Sequence, residues 1–137
     1  MNKNVGKTKD AGYQFGIRRT FPHPADKIWD FLFSESGLQI WLGELRTPLE
    51  LKKAYKTEDG IEGVVRVLQP YSHIRLTWKK PGWENHSTVQ VRVIDKGEKS
   101  TVAFHHEKLQ DADQRAEMKE YWNSRMQELI DELSGAR

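Results

Sequence analysis

The spacing of apolar residues changes character once in the second half of this chain, and that change limits the folds open to it. From Leu49 to Leu109 apolar and polar side chains tend to alternate; from Asp111 onward apolar residues recur every three or four positions. The first pattern belongs to half-buried strands and the second to a helix with one buried stripe. GVVRVL (63–68), HIRLTW (73–78), STVQVRVID (87–95) and KSTVAFHHE (99–107) follow one another with short links between them. Links this short join antiparallel neighbours, because a parallel pair needs a crossover of about a dozen residues or more. Val65, Val67, Ile74, Leu76, Trp78, Val89, Val91, Val93, Val102 and Phe104 form the predicted inward face. ELKKAYKTE upstream reads as a pair of short strands, with Asp59-Gly60 and Lys96-Gly97 as turns. In the helix, Met118, Trp122, Met126, Leu129 and Leu133 line one side and Gly135 marks the end.

The first third is organised differently. QFGIRRTF (14–21) alternates Phe15, Ile17, Arg19 and Phe21 on one side of a strand, so Arg19 interrupts an apolar face. Pro22 and Pro24 end that strand, and Pro24 suits the start of a helix carrying Ile28, Trp29, Leu32 and Phe33. A second short helix holds Leu38, Trp41 and Leu42 and stops at Gly43. Residues 1–13 read as a flexible basic leader, and 14–135 as a single domain. Gly6-Lys7-Thr8 mimics the end of a phosphate-binding loop, but its upstream glycine and preceding strand are missing.

Chemistry is sparse in this pattern. The chain has no cysteine, which excludes disulfides and thiolate metal sites and fits a cytoplasmic setting. No apolar run approaches the roughly 20 residues of a membrane span, and the polar start lacks the core of a secretory signal. A formal charge of +2 gives no argument for nucleic acid. His105, His106 and Glu107 stand together, but strand alternation sends His106 inward with Phe104 and leaves His105 and Glu107 on the solvated side. No third ligand follows at metal-site spacing, so neither metal nor cofactor is expected. No serine sits in a nucleophile elbow, and no catalytic residue is assigned.

One strand, two short helices, a run of antiparallel strands and one long helix make an order that resembles the helix-grip (START-like, SRPBCC) superfamily. The motifs are most similar to the branch named for the activator of the heat-shock-protein-ninety ATPase. They are RTFPHPADKIWDFL (19–32), GLQIWLGE (37–44), GVVRVLQPYSHIRLTW (63–78), STVAFHHEKL (100–109) and YWNSRMQEL (121–129). The resemblance implies an α+β fold in which a curved antiparallel sheet wraps the C-terminal helix, with an apolar cavity between them. Some relatives enclose lipids, sterols or polyketides and some are enzymes, so fold alone does not fix function. The activator carries an additional N-terminal domain that this sequence does not show, and a chaperone partner is not expected.

The function expected is enclosure of a small, mostly apolar or amphipathic molecule. The expected contacts are Trp41, Val67, Leu76, Trp78, Val91, Phe104, Trp122 and Met126, with Arg19 and His106 orienting a polar end. Trp83, between Gly82 and a polar loop, is either a lid or an exposed loop residue. The alternatives are a cyclase- or hydrolase-like enzyme in the same cavity, with two titratable groups facing each other, and a protein-interaction or stress-response module with a filled core. A homodimer is compatible with each.

Overall fold

The computed structural model describes residues 7–8 and 12–135. Its element order is β1 (Lys7–Thr8), β2 (Gly12–Phe21), α1 (Ala25–Leu32), α2 (Glu35–Trp41), β3 (Ala54–Lys56), β4 (Glu62–Gln69), β5 (His73–Trp78), β6 (Ser87–Lys96), β7 (Lys99–Leu109) and α3 (Ala112–Ser134). The strands form one antiparallel sheet in the order β1-β2-β7-β6-β5-β4-β3, so β2 closes against the last strand and every later strand pairs with its chain neighbour. This is the α+β helix-grip architecture, with α3 lying on the apolar face of the sheet.

Local chemistry sets the boundaries. Ser34 caps α2 by accepting from the Gly37 amide at 3.1 Å, and Asp111 caps α3 by accepting from the Gln114 amide at 2.8 Å. Gly135 ends α3 in the left-handed region at φ 71°. Gly37 lets α2 approach α1 closely: a Cβ there would lie 1.9 Å from the Phe31 carbonyl oxygen. Gly63 plays the same part between strands, since a Cβ would lie 1.9 Å from the Thr77 carbonyl oxygen.

The predicted inward face is largely the core. Val65, Ile74, Leu76, Trp78, Val89, Val91, Val93, Val102 and Phe104 are buried beneath Met118, Trp122, Met126 and Leu129 of α3, and α1 and α2 add Ile28, Leu32 and Trp41.

Three expectations need correction. Val67 is not inward: Val65 pairs with Leu76 but Val67 pairs with Arg75, so a β-bulge inserts one residue into β4. Alternation then resumes one step out of phase, Leu68 turns in opposite Ile74, and Val67 is 37% exposed. The pair of short strands around Tyr55 is one three-residue strand, β3, plus an isolated bridge from Leu45 to Thr57. Lys7–Thr8 pairs with Gly12 and Tyr13, so strand structure enters the stretch read as a leader; its remaining residues, 1–6 and 9–11, lie outside those described.

Candidate functional site

The helix and sheet meet through aromatic rings. Trp122 stacks on Phe104 with centroids 4.8 Å apart, and Phe104 meets Trp41 at 6.2 Å. Trp78 meets His106 edge-on at 5.1 Å and Tyr121 at 5.9 Å. Trp83 is half-buried, packing against Trp78 at 5.3 Å and His106 at 6.3 Å, so it belongs to this cluster. Trp41, Leu76, Trp78, Val91, Phe104, Trp122 and Met126 pack on one another, each no more than 2% exposed.

A buried polar chain runs through the cluster. The Trp122 indole N–H donates to His106 Nδ1 at 3.0 Å. An indole nitrogen only donates, so His106 Nδ1 carries no proton and Nε2 carries it. Nε2 then donates to Ser87 Oγ at 2.7 Å, and Ser87 donates onward to the Trp78 carbonyl at 2.6 Å. Every member is satisfied, which suits a low-dielectric interior. Burial, with the neighbouring His105, holds His106 far below its ordinary pKa, at about 3, so it stays neutral.

A serine 2.7 Å from a histidine invites a nucleophile–base reading. Proton accounting opposes it, because a base must accept the serine proton and this nitrogen donates. His106 also has no ring nitrogen free for a ligand, so the orienting role expected of it is instead spent on aligning Trp122 and Trp78. Arg19 departs from expectation too. It is exposed, and its Nη1 donates to the Arg18 carbonyl at 2.8 Å, because a guanidinium avoids an apolar interface lacking a counter-charge.

Open space begins at the edge of this cluster. A pocket of about 360 Å3 lies between α3 and the loops at the ends of β3 and β5, lined by Ile61, Trp78, Pro81, Met118, Tyr121 and Arg125, with Asp59 and Lys80 completing its wall. Two buried nitrogens on its lining residues have no hydrogen-bond partner, Trp78 Nε1 and Arg125 Nε. Arg125 is held in place by the Tyr121 ring, 4.6 Å from its guanidinium carbon, and by Glu128, which accepts from Nη1 at 2.7 Å. Burial raises the Tyr121 hydroxyl above its ordinary pKa and keeps it protonated. Of the ligand contacts expected from sequence, only Trp78 lines this pocket. Met118, Tyr121 and Arg125 were legible as an i, i+3, i+7 helix face, whereas nothing in the sequence pointed to Ser87. Among the described residues, no group of histidines and carboxylates is arranged to hold a metal. No helix among them is long and apolar enough to cross a membrane.

This site sits in a helix-grip fold. Residues 22–134 match the family described as Activator of Hsp90 ATPase homolog 1-like protein, and the chain belongs to that family. No curated protein matches it in sequence. Among solved structures, DynU16, from the dynemicin biosynthetic locus, superposes with a TM-score of 0.80 at 16% identity, over 90% of this chain and 48% of that one. The chain thus spans about half the length of DynU16. PFC0360w, an Hsp90 activator from Plasmodium falciparum, gives 0.74 at 17% identity over 89% and 96% of the two chains. The Aha1 dimer from Colwellia psychrerythraea gives 0.71 at 17% over 86% and 93%. At these identities the likeness speaks for the fold.

Proposed function

We propose that the protein binds a small, mostly apolar molecule bearing an acceptor such as a carboxylate or hydroxyl, at the pocket between α3 and the β5 end rather than deep inside the sheet. The observation that carries this reading is the pair of unpartnered donors, Trp78 Nε1 and Arg125 Nε, on residues lining a pocket of about 360 Å3. An unmade buried hydrogen bond costs about 1–3 kcal/mol, and a ligand acceptor removes that cost at the moment of binding. Apolar walls from Ile61, Met118 and the Trp78 ring supply affinity by desolvation, at roughly 25 cal/mol per Å2. The volume falls at the lower end of ordinary small-molecule sites. The reading places the protein in the cytoplasm, which its cysteine-free chain suits. A homodimer like that of the Colwellia relative is a separate matter for light scattering.

The test is native mass spectrometry of the purified protein followed by gentle denaturation, paired with titration of the apolar sulfonate anilinonaphthalene sulfonate. A released organic molecule, or saturable one-site dye binding that Trp78→Phe weakens, supports the reading. Dye binding identical in the wild type and Trp78→Phe, with a ligand-free mass, overturns it.

A further inference from the structure

The opposite face of the sheet carries a depression of different chemistry, separate from the pocket under α3. Register places Arg18 of β2 opposite Ala103 of β7, and Ala103 opposite Arg92 of β6. The next row holds Gly16, His105 and Gln90. Arg18 and Arg92 are thus two strands apart, about 10 Å between backbones, and the strand between them contributes only a methyl group at that level. With Gly16 bare beside it, the sheet face sinks into a depression of about 310 Å3 walled by Arg18, Arg92, Gln90 and His105.

What faces this depression is almost all donor. Neither Arg18 nor Arg92 has an ion-pair partner among the described residues, whereas Arg75 in the adjacent row is matched by Glu107 at 2.5 Å. Arg75 also occupies Gln90 Oε1 at 3.1 Å, which leaves the Gln90 amide nitrogen as the group to offer. His105 donates from Nε2 to Gln14 at 2.8 Å, so its ring stands as a wall of the depression, while Glu107 is held by Arg75. The positive field is felt at the next strand: burial, then Arg92 and Arg75, lower the pKa of His73.

We propose that Arg18 and Arg92 clamp the phosphate group of a small soluble phosphomonoester over the floor made by Gly16 and Ala103, with the Gln90 amide as a third donor. Two planar guanidinium forks suit a tetrahedral oxyanion, because each presents paired N–H groups to two oxygens. A neutral or cationic ligand finds no acceptor among the clamp's groups. The site's size accommodates the phosphate and a body of a few carbons.

The probe is inorganic phosphate titrated into 15N-labelled protein at neutral pH and ionic strength held constant with sodium chloride. Arginine Nε–H and backbone amide signals are the readout. Saturable shifts are expected at Arg18 and Arg92 side chains and at the Gly16 and Ala103 amides. Arg92→Gln and Arg18→Gln are each expected to weaken binding about tenfold, the loss of one charge-assisted contact, while Arg66→Gln leaves it unchanged. Gly16→Leu fills the depression and abolishes binding. The strand tolerates that change, since the nearest heavy atom to an added Cβ is His105 Cδ2 at 3.5 Å. Circular dichroism verifies the fold of each variant, and Gly16→Leu decides the matter if an arginine variant unfolds. Shifts that do not saturate, or that survive Gly16→Leu, overturn the site. Sedimentation with phosphatidylcholine vesicles containing phosphatidic acid, without any response to soluble phosphate, overturns the assignment to a soluble ligand.

Discussion

Acidification offers the sharpest test of the polar chain through His106. The group's pKa is 6.5 in an ordinary setting and about 3 in the fold. Because the folded value is depressed, the unfolded chain binds the proton first, and stability rises with pH between the two values. The neutral histidine's contribution is complete above pH 6.5 and is lost as pH falls toward 3. Worked through the linkage relation, protonation of the unfolded chain alone removes about 2 kcal/mol at pH 5 and about 3 kcal/mol at pH 4. That is a large share of a small domain's total stability. The assay is urea unfolding at pH 8, 6, 5 and 4, followed by the fluorescence of the buried tryptophans, for the wild type and His106→Gln. The variant is less stable at pH 8 by about 1–3 kcal/mol, because it disturbs a buried hydrogen-bonded chain. Its further loss on going to pH 5 is smaller than the wild type's by about 2 kcal/mol. Taking the difference between the two proteins removes what they share, including His73, whose pKa is also lowered, by burial and by Arg92 and Arg75. Parallel pH dependences in the two proteins would refute the buried neutral histidine.

Other outcomes follow from single contacts. Trp122→Phe keeps the stack on Phe104 but leaves His106 Nδ1 without its donor, and is expected to cost about 1–3 kcal/mol by urea unfolding. Gly37→Ala forces α2 away from the Phe31 carbonyl and is expected to cost about 1–3 kcal/mol or more, read as a lowered Tm. Val65→Ala, at a fully buried position, is expected to destabilise by about 2 kcal/mol, whereas Val67→Ala stays within about 0.5 kcal/mol; equal losses at the two positions would contradict the bulge. Trp78→Phe removes an unpartnered N–H along with some ring area, so its stability change is within about 1 kcal/mol while binding at the α3 pocket weakens.

Much of the fold could be read from alternation because most strands keep their phase from turn to turn. Val89, Val91 and Val93 are buried on one side of β6 as their spacing requires. β4 broke the reading because the bulge inserts one residue between Val65 and Val67 with no glycine or proline at those positions, and Val67 looks no different from Val65 in sequence. Arg19 misled for a related reason: strand parity fixes which side a Cβ leaves, but a long side chain at a sheet edge can turn back to its own backbone. The candidate pocket was only half legible. Its helix residues share a face, yet Ile61 and Pro81 arrive from loops whose path depends on tertiary packing. Ser87 stands 19 residues from His106, and only the pairing of β6 with β7 brings them together.

The way the sheet ends has a consequence for behaviour in concentrated solution. β1 covers only Gly12 and Tyr13 of β2, and among the described residues no strand pairs with the remainder of that outer edge. Exposed backbone of this kind is a template on which another chain can add itself. Here consecutive arginines occupy it, and one backbone acceptor is already taken by the Arg19 guanidinium. An incoming copy must break that bond and bring its own Arg18 and Arg19 against the same charges. At the far edge β3 offers three residues. Growth of the sheet from chain to chain is therefore opposed at one side by like charge and at the other by shortness.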